Sequence, residues 1–178
     1  MKRTIDLFSY AETILRALPK GILLTTVCDG KVNTMTIGWG SLGINWRKPV
    51  FTAYVRESRF TLPMLEKSRE CTINIPVDTT DPKILSVCGS KSGRDMDKIK
   101  ELGLTLVPGE KVQAPAIREV PITLECKVLY CKKQDPAALP AEILEQWYPA
   151  APSNPPIEDD RDLHITFMLE IVDAYIVE

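Results

Sequence analysis

The sequence predicts a mainly β protein, an antiparallel β-barrel decorated with short helices. Apolar, β-branched runs recur along the chain and are joined mostly by turns. No regular strand–helix alternation appears, as a doubly wound parallel sheet would require. No G-x-G-x-x-G follows a strand and opens a helix, so the dinucleotide-binding fingerprint is absent.

Each element has its own signal. Phe8, Ala11, Leu15 and Leu18 recur at helical spacing and Ile14 widens the stripe, which predicts an amphipathic helix over 9–18, stopped by Pro19-Lys20-Gly21. Runs at 22–28 and 32–37 flank Asp29-Gly30, a strong hairpin signal. The stretch Gly38-Trp39-Gly40-Ser41-Leu42-Gly43 is predicted as a glycine-punctuated loop, and 50–55 as a strand. A short helix is expected over 58–67, with Thr61 as its cap and Pro63 in its first turn. Cys71, Ile73 and Ile75 alternate with Thr72 and Asn74, predicting a strand. Helices are expected at 82–88 and around Met96, Ile99 and Leu102, the second ending at Gly103. In 122–131, Ile122, Leu124, Cys126, Val128 and Tyr130 point one way and Glu125 and Lys127 the other, as in a half-buried strand. Six of the 14 prolines fall between Pro136 and Pro156, so 135–160 reads as an excursion or an excursion with a short helix. A last strand spans 163–177, with a phase slip at Val172 that predicts a bulge.

The length of 178 residues predicts one domain over 1–178. The 22 Lys+Arg against 24 Asp+Glu argue against a nucleic-acid scaffold, which would be strongly basic. No apolar run approaches the roughly 18 residues of a membrane span. Met1–Tyr10 has no apolar signal core, so a cytoplasmic protein is expected. The five cysteines are odd in number and none form C-x-x-C, which predicts reduced thiols rather than disulfides or a zinc site. His164 is the one histidine, so a His-rich metal site is excluded and no metal is expected.

Three constellations carry chemistry. In Asn33-Thr34-Met35-Thr36-Ile37-Gly38-Trp39-Gly40, polar side chains alternate at a strand end and glycines let backbone approach a ligand, with Trp39 as an apolar wall; a polar-faced strand with a core tryptophan is the plainer reading. In Arg56-Glu57-Ser58-Arg59-Phe60-Thr61, guanidiniums and hydroxyls meet a helix start, which makes either a phosphate site or a capped helix with solvated arginines. Lys91-Ser92-Gly93-Arg94-Asp95-Met96-Asp97-Lys98 is a small-residue loop entering a helix, able to add an anionic contact. His164 opens the last strand, where it serves either as a surface residue or to polarise a bound ring or carboxamide.

In this order, Asn33–Trp39, Arg56–Thr61, Cys71-Thr-Ile-Asn-Ile-Pro76, Ser92–Lys98 and His164–Tyr175 resemble the flavin reductase-like FMN-binding split-barrel family, nearest its flavoredoxin branch. The resemblance implies an antiparallel split barrel of Greek-key type, a homodimer, and FMN rather than FAD near the subunit interface. It implies that Asn33, Thr34, Thr36 and Trp39 face the isoalloxazine and ribityl chain. Arg56, Ser58, Arg59 and Thr61 would hold the phosphate, and Lys91 would add a flavin contact. His164 is the candidate catalytic residue. The activity implied is NAD(P)H-dependent flavin reduction, with NAD(P)H as a transient substrate; the alternative is a flavoredoxin-type carrier moving electrons between protein partners. Many relatives carry a glycine in the last strand where this chain has Phe167-Met168-Leu169-Glu170, so Met168 and Leu169 are expected to crowd the substrate side.

Overall fold

The computed structural model describes residues 1–150 and 161–178. Ten strands are present among them: β1 (Lys2–Thr4), β2 (Ile22–Cys28), β3 (Lys31–Ile37), β4 (Gly40–Asn45), β5 (Lys48–Arg56), β6 (Glu70–Ile75), β7 (Leu106–Val107), β8 (Ala116–Ile117), β9 (Ile122–Lys133) and β10 (His164–Val177). The helices are α1 (Ala11–Ala17), α2 (Thr61–Ser68), α3 (Pro82–Ser90), α4 (Lys98–Glu101) and α5 (Ala141–Trp147). The main sheet runs β3-β2-β6-β9-β10-β5-β4, with β1 added along β10, and every ladder is antiparallel. No ladder joins β3 to β4, so the mainly β barrel is split along that side.

The Asp29-Gly30 turn has positive φ at both residues, 50° and 77°, matching the hairpin the sequence predicts. A second hairpin, β4–β5, replaces the expected 38–43 loop. Its turn places Trp46 and Arg47 at φ 49° and 60°, a conformation for which neither residue advertises itself. Gly40 serves this pairing: a β-carbon there would lie 2.6 Å from the Thr52 carbonyl and 3.0 Å from the Phe51 ring.

Alternation works on the inner face. Leu24, Phe51, Ala53, Ile73, Leu124, Phe167 and Leu169 fill the barrel, and Ile14 and Leu18 pack into the same core. Burial of each large apolar side chain is worth about 1.5–3 kcal/mol. The N-terminal segment buries Ile14 and Leu18 of the expected stripe together with Leu7, but leaves Phe8 and Leu15 exposed. The cause is that Leu7–Tyr10 forms a 3₁₀ turn, whose three-residue period shifts the face.

The polar face is buried as well. Thr25 donates to Asn74 Oδ1 and accepts from the Thr34 hydroxyl, both at 2.9 Å, and Thr72 donates to the Pro115 carbonyl at 2.7 Å. Glu125, expected on an open strand face, is fully buried. Its carboxylate accepts the backbone N–H groups of Glu110, Lys111 and Val112 and the Tyr175 hydroxyl. The segment that folds over this face explains both.

Register slips at Ile171/Asp173, the bulge expected at Val172. An unexpected slip at Met168/Leu169, opposite residue 129, turns Tyr130 outward and sets Cys131 against the core. Phe60, not Thr61, is the N-cap of α2, and no side chain caps that end. The expected helix around Met96–Leu102 is the single turn α4, followed by Gly103 at φ 62°. The proline-rich excursion supplies the turn Pro136–Ala138 and α5; its part at 151–160 lies outside the described residues.

Candidate functional site

Two adjoining cavities open between β3, the end of β5 and the 88–98 segment. One, of about 260 Å³, is lined by Asn33, Arg59, Thr61, Lys91, Arg94 and Lys98 among others. The other, of about 150 Å³, is bounded by Trp39, Tyr54, Arg56 and His164. Met35, Thr36 and Arg59 line both, so they form one groove with two ends.

The first end is cationic. Arg59, Lys91, Arg94 and Lys98 surround it, with Asp95 as the one carboxylate among the described lining residues. Lys98 is 4% exposed. Its ammonium donates to the carbonyls of Lys91 at 3.2 Å and Cys88 at 3.5 Å, and no carboxylate among the described residues pairs with it. Burial pulls its pKa down; the nearby Cys88 opposes this and Arg59 adds to it. Arg94 is braced by the Ser58 carbonyl at 2.9 Å and by the Phe60 ring. The Gly93 backbone runs so close that a β-carbon would overlap the Asn33 amide and lie 2.7 Å from the Phe60 ring. Asn33 donates to Thr61 Oγ1 at 2.8 Å, tying β3 to α2.

The second end is aromatic and internally bonded. Trp39 is 39% exposed, so it is not a core residue. Its ring lies 5.0 Å from Trp147, edge-on, and 5.0 Å from His164. Arg56 donates to the carbonyls of Asp162 at 2.8 Å and Trp147 at 3.0 Å, and its guanidinium stacks on Tyr148. His164 is buried, and its Nδ1 lies 2.7 Å from the Tyr148 hydroxyl. Burial, and then the charge of Arg56, lowers its pKa to about 4, so the ring is neutral at pH 7.

The groove thus brings together Asn33, Thr36, Trp39, Arg56, Ser58, Arg59, Thr61, Lys91 and His164. Thr34 stands apart, with its hydroxyl bonded to Thr25 and its cavity contact on the neighbouring pocket beside Lys31 and Met96. The Thr36 hydroxyl is committed to the Leu85 carbonyl at 2.7 Å. Arg56 lies at the aromatic end, away from Thr61, so the expected four-residue convergence divides in two. Ser58 lines the cationic cavity, but its N–H and hydroxyl both donate to the Asp162 carboxylate, at 2.9 and 2.7 Å. Neither Met168 nor Leu169 lines the groove: Leu169 is in the core, and Met168 accepts from Asn45 at 3.9 Å. Arg94 and Lys98 stood in a motif the sequence displayed without a sign of which side chain faces a ligand. Tyr148 and Asp162 carry no local signal.

A family model for the flavin reductase like domain matches residues 15–178. The chain belongs to the flavin reductase-like family. Among solved structures, this flavin reductase-like protein is similar to a flavoredoxin from Methanosarcina acetivorans, with TM-score 0.64 and 25% identity over 87% of this chain and 67% of that one. It shares its fold with a flavoredoxin of Desulfovibrio vulgaris (Miyazaki F), with TM-score 0.64 and 24% identity over 89% of this chain and 69% of that one. The fold also matches nitrilotriacetate monooxygenase component B from Bacillus cereus, with TM-score 0.67 and 14% identity over 98% of this chain and 78% of that one. An uncharacterized protein of Archaeoglobus fulgidus is 28% identical over 99 residues, 56% of this chain and 55% of that one. The match thus spans about half the length of that relative.

Proposed function

We propose that this chain binds FMN, rather than FAD, and acts as a flavin oxidoreductase that takes reducing equivalents from NAD(P)H as a transient substrate. The observation that carries the reading is the cationic cavity: four cations against one carboxylate, one of those cations buried without an acidic partner among the described residues. Such a donor set fits a phosphate monoester, because charge-assisted hydrogen bonds to its oxygens supply the anion these groups lack. Arg59, Lys91, Arg94 and Lys98 would hold the phosphate with Thr61. The ring system would follow Met35 and Thr36 toward Trp39 and His164, where flat apolar area is available. The flavin itself supplies the redox chemistry, accepting hydride or electrons and passing them on. The chain's residues bind it, orient it and keep its aromatic end free of ionised side chains other than the committed Arg56 and the shared Arg59.

A second copy would complete the assembly. Among the described residues β4 pairs only with β5 and is an edge strand, α1 lies beside it, and Phe8, Ile44 and Trp46 are each about 60% exposed. Two-fold pairing is the commonest way to cover such a face. The similarity to flavoredoxins supports a second reading, a cytoplasmic electron carrier serving protein partners.

The test starts with colour. Purified protein, or protein incubated with FMN, is expected to carry a flavin absorption band. Anaerobic NADH or NADPH is then expected to bleach it. Bleaching by dithionite but by neither nicotinamide selects the carrier, and failure to bind FMN at all defeats both readings. Sedimentation of the loaded protein at the 20.0 kDa of one chain would defeat the dimer.

A further inference from the structure

Gln134 and Tyr148 bond to His164 or to each other beside it, and neither lines the groove. Gln134 follows β9, and its backbone N–H donates to the His164 carbonyl at 2.9 Å. Tyr148 follows α5 and is 3% exposed. Its hydroxyl lies 2.9 Å from Gln134 Oε1 and 2.7 Å from His164 Nδ1. A phenol has one proton to give, and an amide oxygen has none. The Tyr148 proton therefore goes to Gln134, and the short contact to Nδ1 requires that nitrogen to donate.

The imidazole is then the neutral Nδ1–H tautomer, because the bond at one nitrogen decides which of the two carries hydrogen. Its other nitrogen, Nε2, keeps a lone pair and has no hydrogen-bond partner among the described residues. The ring is fixed by Trp39 on one side and by edge contacts with Tyr54 and Tyr148, at 6.2 and 5.5 Å between centroids. His164 lines the aromatic end of the groove beside Arg56 and Arg59.

We propose that the Gln134–Tyr148 pair positions His164 as the Nδ1–H tautomer and so makes Nε2 a neutral hydrogen-bond acceptor for an N–H donor, such as a carboxamide, entering the aromatic end of the groove. Tyr148 and Gln134 are positioning residues: neither lines the groove, and both act through the imidazole. The identity of the entering ligand rests on the flavin reading above; the tautomer does not. The pair also gives the excursion after β9 a role, since it delivers Tyr148 to the ring.

Because His164 is the one histidine in the chain, ¹⁵N-histidine labelling yields one pair of side-chain nitrogen resonances. At neutral pH the protein as purified is expected to show a pyrrole-type Nδ1 and an imine-type Nε2. The Gln134→Leu variant keeps Tyr148 but removes its acceptor. The phenol proton then turns to Nδ1, and the tautomer is expected to switch to Nε2–H. Tyr148→Phe is expected to abolish the Nδ1–H preference while thermal unfolding confirms a folded chain. An Nε2–H tautomer in the unmodified protein overturns the proposal on its own, whether or not the variants fold. A folded Gln134→Leu protein with an unchanged nitrogen spectrum overturns it equally. Flavin binding is scored separately by visible absorption, so a colourless protein with the expected tautomer defeats the flavin reading and leaves this inference standing.

Discussion

Arg56 and Arg59 stand three residues apart along one groove, Arg56 at its aromatic end and Arg59 where the two ends meet. Arg56 donates to two backbone carbonyls and stacks on Tyr148, so its charge is held by the protein's own acceptors. Arg59 lines both cavities and makes no side-chain hydrogen bond among the described residues. The same contrast separates the two ends as wholes. At the aromatic end Arg56 and the Nδ1 side of His164 are held by the protein's own groups, and the histidine is neutral. At the cationic end Arg59, Lys91 and Lys98 lack carboxylate partners among the described residues. A guanidinium with its own acceptors is part of the frame; cations gathered without them mark where a ligand supplies the counter-charge.

The largest effect should come from the neutral end. His164 has a folded pKa of about 4 against 6.5 in the reference state. Between those values the unfolded chain binds more protons, so stability rises with pH and is lost as pH falls from 6.5 toward 4. The loss attributable to this ring should reach about 2–3 kcal/mol near pH 4.5. Denaturant unfolding at pH 7 and 4.5, compared with His164→Gln, measures it, since carboxylates titrate in both proteins. Equal pH dependence in the two proteins would show that the ring is not held neutral by its surroundings.

The comparison of the arginines sharpens next. Arg59→Ala should weaken FMN by roughly tenfold to a hundredfold, the worth of one charge-assisted bond, and leave riboflavin nearly unaffected. Arg56→Ala should leave the ratio of FMN to riboflavin affinity unchanged. It should instead destabilise the protein by about 1–3 kcal/mol, because two carbonyls lose their donor. Calorimetric titration of both flavins into both variants decides this. If Arg56→Ala loses FMN selectively and Arg59→Ala does not, the phosphate belongs to the other end.

Trp39→Phe should have the smallest energetic consequence. With Trp39 39% exposed, apoprotein stability should fall by under about 1 kcal/mol. Tryptophan fluorescence should be quenched by added FMN, and the substitution should remove much of that quenching. Quenching of the same size in the variant would place the ring elsewhere.

Much of this was legible in the chain. Asp29-Gly30, the alternation of Ile122 to Cys126 and the slip at Val172 each report a local period, and the strands follow. What failed depended on partners distant in sequence. Glu125 reads as an exposed strand position until residues 110–112 fold onto it with their N–H groups. Thr72 and Asn74 alternate with apolar residues, yet both are buried, Thr72 against the Pro115 carbonyl and Asn74 beside Thr25 and Thr123. The β4–β5 hairpin hid because Trp46-Arg47 lacks the glycine that usually marks such a turn. At the site, the residue types were visible, and Arg59, Lys91, Thr61 and Trp39 all line the one groove. Their division into two ends was not visible, because Asp162 and Trp147, which claim Ser58 and Arg56, lie about 90 to 106 residues away.

β10 pairs with β9 along most of its length, with β5 at its start and with β1 at its end. It is thus the bridge between the β3-β2-β6-β9 half and the β5-β4 hairpin. During synthesis the first half can assemble once residue 133 has emerged, while β4 and β5 wait as an isolated hairpin, which is marginal alone in water. The barrel can be sealed only when residues 164–177 arrive, so until then the nascent chain has half a core open. Released chains truncated after residue 160 should therefore remain sensitive to protease within 48–56 while 22–37 is already protected; equal protection of both would show that sealing does not wait for β10.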